Sequence, residues 1–406
     1  GFECGISKNR CEKLMDGPLY RKFRQQAKRV LKLPANGSAK DRIRALKDYL
    51  NIEGEKTRRL HRCGEGGFVF GLAHTATLDV LIESLLEQAI VKAREETGDN
   101  LAVSLIALGG YGRAEMSPRS DIDLMLLYGK PVRKTDPKAF LEAISLNVFY
   151  PLWDLGFKLG HSLRTVKEAI AEAAREDKSL NAMLEARRLG GDVALFNEFE
   201  SAFERFYRGL DARSYLHKRL CAQAERREKY GNTVYLQEPD IKNGVGGLRD
   251  FQSILWMAKF RLGRASLEGL KDNGYLTEAE AKELHDAYDF LLRVRNELHF
   301  EGDGPKDFLN LEAQPRLAWS LGYRRVDIFK RVEAFMQDYY RSAQAIYSTS
   351  RILEQRLAVD RPGGETPVTF KAVLESRRAG AQRIIDGFVI GRESISAVTS
   401  RVFEED

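Results

Sequence analysis

Apolar and polar residues follow two different periods along this chain, and the change of period divides it. Up to about residue 95, apolar positions recur at helical spacing: Leu78, Leu81, Ile82, Leu85, Ala89 and Ile90 make one face, fit to pack beside a sheet. Turns there are marked by Pro34-Ala35-Asn36-Gly37-Ser38 and Gly64-Glu65-Gly66-Gly67. From about 96 to 200, short apolar runs at 101–108, 121–128 and 157–164 read as strands and alternate with helical segments, including 137–154. Beyond 200 the pattern is helical again, clearest over 281–300, where Leu284, Ala287, Tyr288, Leu291, Val294 and Leu298 form a stripe. The pattern predicts an α+β fold with N-terminal helices over 1–95, a small mixed sheet with helices over 96–200, and a C-terminal helical bundle over 201–350. The stretch Val359-Asp360-Arg361-Pro362-Gly363-Gly364-Glu365-Thr366-Pro367 reads as a linker, so 351–406 is expected to be a linker and a small exposed remnant.

Composition narrows the class. With 406 residues, 43% hydrophobic and 31% charged, the chain can bury sizeable cores and is expected to be globular and soluble. We read no apolar run approaching the ~20 residues that span a bilayer, and no signal-peptide layout at the start. Cys4, Cys11, Cys63 and Cys221 form no C-x-x-C pair and have no histidine at metal spacing, which argues against zinc and a disulfide framework and favours a reducing cytoplasm. The net charge of +6 is modest, and runs such as Glu225-Arg226-Arg227-Glu228-Lys229 mix both signs. That is the pattern of a solvated helix face rather than a nucleic-acid groove, and the expected partners include neither nucleic acid nor membrane.

The chemistry concentrates at 108–127. The strand 101–108 stops at Gly109-Gly110, and glycine lets the backbone adopt positive φ and approach a ligand closely. After a polar stretch from Gly112 to Ser120 comes the second strand. With a rise of roughly 3.3 Å per residue, Asp121 and Asp123 share one face about 6.6 Å apart along the chain, while Ile122, Leu124 and Leu126 take the other face, against a core. Two carboxylates at a strand head, opposite a glycine turn, can hold Mg²⁺ while turn amides receive a triphosphate. That is equipment for in-line attack on a nucleotide phosphorus.

Gly109-Gly110-Tyr111-Gly112-Arg113-x-Glu115 with Ser120-Asp121-Ile122-Asp123 resembles the polymerase-β-like nucleotidyltransferase domain of the bacterial PII uridylyltransferase/uridylyl-removing enzyme family. Downstream, Glu238-Pro239-Asp240-Ile241-Lys242-Asn243-Gly244-Val245-Gly246-Gly247-Leu248-Arg249-Asp250-Phe251-Gln252 resembles the signature of the helical region in that family, shared in weaker form with glutamine synthetase adenylyltransferases. Leu155–Arg164, Leu184–Arg187, Arg293–His299 and Leu321-Gly322-Tyr323 follow in family order, so the resemblance covers roughly 50–405. It implies transfer of UMP from UTP to a tyrosine of the PII nitrogen-signalling protein. Asp121 and Asp123 would be the catalytic metal ligands, Gly109 and Gly110 would cradle the triphosphate, and Arg113 and Ser120 would hold its oxygens. The family also carries a UMP-removing phosphohydrolase domain and glutamine-sensing domains. The chain stops at Asp406, about where these begin, and as a fragment or a short form it is expected to lack both functions. A third acid on 157–164 is not evident, where His161 and Ser162 stand instead. Nothing in the sequence reads the base, which keeps adenylyl transfer to another protein open, while that gap and the missing sensor domains keep open a nucleotide-binding regulatory module without turnover.

The remaining motifs divide more evenly. Gly64-Glu65-Gly66-Gly67 lacks the Gly-Lys-Ser/Thr ending of a phosphate loop and reads as a plain turn. His285-Asp286 lacks the further ligands of a phosphohydrolase and reads as helix surface. In the Glu238–Gln252 loop, Lys242 and Arg249 could reach phosphate oxygens, or Arg249 could pair with Asp250 or another acid. The resemblance favours a loop facing the nucleotide cleft. For Arg113, inside the glycine turn, phosphate is the favoured partner, whereas Arg187 stays open between phosphate and a structural ion pair.

Overall fold

The computed structural model describes residues 17–34, 38–130, 137–302 and 307–359, together with three three-residue strands near the C-terminus. The N-terminal helices are α1 (Pro18–Val30), α2 (Ala39–Arg62) and α3 (Gly67–Thr97). Pro18 opens α1, where a missing N–H costs nothing. Ser38 and Asp41 form a reciprocal capping box on α2, and Gly98, at φ +68°, ends α3 in the left-handed region. By length and hydropathy α3 could cross a bilayer, which corrects the expectation that no run approaches that length. In the fold, however, 83% of its apolar window is buried within the protein, as suits a core helix.

The predicted strands form with slightly tighter bounds. In chain order the sheet region runs β1 (Val103–Ala107), α4 (Gly109–Gly112), β2 (Ile122–Tyr128), α5 (Lys138–Asp154), β3 (Leu159–Arg164), α6 (Val166–Arg175), α7 (Asp177–Met183), β4 (Arg187–Gly191) and α8 (Val193–Gly209). The four strands order as β3-β2-β1-β4, with β1 antiparallel to both β2 and β4, and β2 parallel to β3. β4 carries no apolar run that would announce it: only Leu189 of its five residues is buried. Ile122, Leu124 and Leu126 face a core built with α3 and α5, as the alternation predicts. Ile106, Met125 and Leu127 point to the opposite face, into a larger core.

That larger core contains the bundle: α9 (Ala212–Lys229), α10 (Leu248–Leu262), α11 (Leu267–Asp272), α12 (Glu278–Glu301), α13 (Gln314–Ser320) and α14 (Ile328–Val359). The stripe predicted over 281–300 is the buried face of α12, with Leu284, Tyr288, Leu291 and Val294 fully enclosed. The domain limits expected at 95, 200 and 350 fall inside α3, α8 and α14, because each helix continues across the point where the residue pattern changes character. Three further strands, β5 (Arg383–Ile385), β6 (Phe388–Ile390) and β7 (Ile395–Ala397), pair as an antiparallel sheet. The segment expected to be a linker lies, beyond Val359, outside the described residues, as do Cys4 and Cys11, while Cys63 and Cys221 are free thiols.

Candidate active site

A cavity of about 800 Å³ opens between the heads of β1 and β2 and the bundle. Asp121 and Asp123 line it beside Gly109, Gly110, Arg113 and Ser120, while Lys242 and Arg249 line it from the bundle. All eight residues singled out in the sequence therefore meet at one site.

The aspartate end of the cavity is set by three backbones. Leu108 N–H donates to the Asp123 carbonyl at 3.0 Å, fixing the glycine turn across the head of β2. The turn is a single helical turn, α4, whose first N–H groups have no partner within it. Gly109 has φ +55°, a conformation that side chains rarely tolerate, and a Cβ there would lie 3.5 Å from Asp123 Oδ2. On the other side Gly160 pairs with Asp123 across the parallel ladder, and a Cβ on Gly160 would lie 2.3 Å from Oδ1. The Asp123 carboxylate thus occupies a slot between two glycines. Enough protein surrounds it that burial raises its pKa, and the Asp121 charge raises it further, against the pull of Lys242 and Arg113. Two carboxylates that repel each other in a cleft and offer only oxygen donors suit a hard divalent cation such as Mg²⁺, which is commonly held by one or two carboxylates plus substrate phosphates. Among the described residues no group of three or more His, Cys, Asp or Glu side chains gathers at ligating range. Ser162 follows on the strand that carries Gly160, and His161 is packed against Phe149 and Trp153.

The structure gives partners to Arg113 and to Arg187, which the sequence left open. Arg113, expected to hold phosphate, is instead paired twice: Nε donates to Glu115 at 2.8 Å and Nη1 to Glu185 at 2.5 Å. Glu185 also accepts the indole N–H of Trp256 at 2.5 Å, and Glu115 accepts the hydroxyl of Tyr288 at 2.8 Å. Arg113 therefore anchors the glycine turn to α10 and α12, with its charge already matched. Arg187 is also structural. It forms a bidentate pair with fully buried Asp79, at 2.8 and 3.0 Å, and donates to the Tyr111 carbonyl. Ser120 accepts the Ser117 N–H at 3.2 Å, closing the turn that leads into Asp121.

In the Glu238–Gln252 loop, Asp240 accepts the N–H groups of Lys242 and Asn243 at 2.9 and 2.6 Å. Gly246, at φ +72°, packs where a Cβ would strike the Ala343 carbonyl at 2.1 Å, so the loop is pressed onto α14. Asp250 is fully buried and accepts from Gly246 N–H, Gln223, Arg226 and Arg227. It is thus not the partner of Arg249, whose guanidinium lies 5.3 Å over the Trp256 ring. Burial, with the Arg113 charge, brings Arg249 down to about 10, still protonated at neutral pH. Lys242, lowered by burial and by Arg295, has one acid at the limit of reach, Asp307 at 4.0 Å.

The sequence reading missed a second brace. Arg295 on α12 donates to Asp307 at 2.7 Å and to Ser117 Oγ at 3.3 Å. His299 Nδ1 receives the Arg119 N–H at 3.3 Å, its Nε2 lies 3.2 Å from Asp307, and its carbonyl accepts from Arg119 Nε. The bundle thereby holds the Ser117–Ser120 turn immediately before the aspartates. The Arg293–His299 motif was the signal, but nothing local to it shows that its target lies about 180 residues upstream. Gly64-Glu65-Gly66-Gly67 is a turn leading into α3, and His285-Asp286 lies exposed on α12, both as expected.

A mixed four-stranded sheet bearing an Asp-x-Asp strand opposite a glycine turn defines a nucleotidyltransferase fold, and residues 70–169 match a family described as a putative nucleotidyltransferase, DUF294. Residues 214–353 match the family model of GlnD PII-uridylyltransferase, so over that stretch the chain is similar to that family. Similar relatives are bifunctional uridylyltransferase/uridylyl-removing enzymes. That of Burkholderia orbicola is 31% identical over 89% of this chain and 39% of the relative. Those of Rhodospirillum rubrum and Phenylobacterium zucineum are 33% and 35% identical, each over 73% of this chain and 31% of the relative. The chain thus spans between about a third and two fifths of the length of these relatives.

Proposed function

We propose that this chain transfers UMP from UTP to a tyrosine hydroxyl of the PII signalling protein in the cytoplasm, with Asp121 and Asp123 holding Mg²⁺. What carries the reading is the slot between Gly109 and Gly160, which places one of two coupled carboxylates at the mouth of a cavity whose far wall bears Lys242 and Arg249. When bound, the cation supplies positive charge to the reacting phosphate and the leaving pyrophosphate. Gly109 and Gly110 offer main-chain N–H groups to the triphosphate, with Ser120 at their side, while Lys242 and Arg249 hold its oxygens. Arg113 contributes through the turn it anchors. The tyrosine oxygen attacks the α-phosphorus, the bond from that phosphorus to the bridging oxygen breaks, and pyrophosphate leaves. An aspartate of the pair, or the cation itself once bound, would help take up the hydroxyl proton.

The test uses UTP labelled in the α-phosphate, Mg²⁺ and PII. Label should appear on PII, and pyrophosphate release should accompany it. Asp121→Asn with Asp123→Asn should leave a folded protein without transfer. Undiminished turnover by that variant refutes the assignment, label arriving from ATP instead moves the base preference, and nucleotide binding without labelled acceptor favours a regulatory module.

A further inference from the structure

Beyond Arg249, the bundle wall carries a second arginine that its surroundings leave unmatched. The guanidinium of Arg219, on α9, lies 4.9 Å from the centroid of the same Trp256 ring that Arg249 covers at 5.3 Å. Among the described residues neither arginine has a carboxylate within 4.0 Å, because the nearby acids are engaged elsewhere: Asp250 with Arg226 and Arg227, and Glu185 with Arg113 and the indole N–H. Arg219 donates one N–H to Ser253 Oγ at 3.0 Å, and its Nε is buried with no partner. Both side chains line the cavity. The charges of Arg113 and Arg219 both act on Arg249, so positive charge continues from the glycine turn to α9.

Holding two guanidinium groups on one indole with no acid in contact, and only the more distant Glu185, Asp177 and Glu354 acting on them, costs free energy unless an anion completes the site. A guanidinium offers N–H donors and no acceptor, in a planar fork that matches phosphate oxygens. We propose that Arg219 and Arg249, backed by Trp256, form a diphosphate subsite that takes the β- and γ-phosphates and retains pyrophosphate after transfer, an inference that rests on the nucleotidyl transfer proposed above. Arg219 then acts on the leaving group.

Calorimetric titration of the chain with inorganic pyrophosphate and Mg²⁺ tests this, with UMP and UTP titrated in parallel. Arg219→Gln should weaken pyrophosphate binding about 10- to 100-fold, the range for losing charge-assisted hydrogen bonds, and leave UMP binding unchanged. Arg219→Lys should recover only part of the affinity, because an ammonium cannot bind in bidentate fashion. Pyrophosphate should also change tryptophan emission in the wild type. If Arg219→Gln does not fold, a loss of pyrophosphate affinity with intact UMP binding in Arg219→Lys supports the proposal, and unchanged affinity overturns it. Wild-type pyrophosphate affinity in a folded Arg219→Gln that still binds UTP overturns the subsite and leaves the proposed function standing. Failure of the wild type to bind either UTP or pyrophosphate overturns both.

Discussion

A single hydrogen at Gly160 determines where the Asp123 carboxylate can lie. A methyl group there would meet Oδ1 at 2.3 Å, whereas one on the opposite side, at Gly109, would lie at an ordinary 3.5 Å from Oδ2. Gly160→Ala should therefore displace a proposed metal ligand by several tenths of an ångström or more. At a reacting centre a shift of about 1 Å can cost about 10²-fold, so kcat for transfer should fall about 100-fold while the melting temperature changes by only a few degrees. A variant with wild-type kcat would show that the slot does not position Asp123. The Asp-x-Asp pair and the glycine turn were legible because alternation and turn chemistry are local. Gly160 was not, since its neighbour is supplied by strand pairing 37 residues away in sequence. The acid beside Arg113 was hidden for the same reason: the place of Arg113 inside the turn suggested phosphate, and Glu185, brought in by the chain leading to β4, pairs with it.

At the scale of elements, periodicity predicted β1, β2, β3, α5 and α12 to within a few residues, and it failed at β4, whose five residues include a single apolar side chain, Leu189. It could not show how α12 meets the catalytic turn. Arg295 joins Asp307 to Ser117, and His299 accepts the Arg119 N–H while facing Asp307. Burial works against the charge on Asp307, but the His299 hydrogen bond, Arg295 and Lys242 outweigh it and hold that carboxyl well below its usual range. Arg295→Met leaves Asp307 with His299 and a distant lysine, removing one side of a mostly buried pair. The expected cost is about 3 kcal/mol, read by urea denaturation, with faster hydrogen exchange confined to residues 117–121 and α12. Because the aspartates follow this turn directly, transfer should fall by more than the folded fraction explains. His299→Asn can still accept the Arg119 N–H and should lose less than His299→Leu; equal losses would mean that the histidine only fills space.

For the molecule as a whole, packing joins the sheet region to the bundle. One apolar cluster runs from Ile106, Met125 and Leu127 on the sheet, through Phe199 and Phe203 of α8, to Phe251, Tyr288 and Leu357 in the bundle. A sheet face exposed by removing the bundle would carry fully buried residues into water, at roughly 25 cal/mol for each Å² of apolar surface, so neither part gains from unfolding first. The polar seam adds to this, since Arg113, Glu185, Trp256, Arg295 and His299 are hydrogen-bonded across it or positioned by partners on the other side. Differential scanning calorimetry should accordingly show one transition over residues 17–359, with calorimetric and van't Hoff enthalpies equal. A nucleotide that touches Gly110 and Arg249 together binds only when both walls are folded. UTP with Mg²⁺ at 100 times its dissociation constant should then raise the stability of that whole unit by about 2.7 kcal/mol and move the transition upward without splitting it. Two transitions, only one of them shifted by nucleotide, would place the binding determinants on a single wall and make the bundle a bystander.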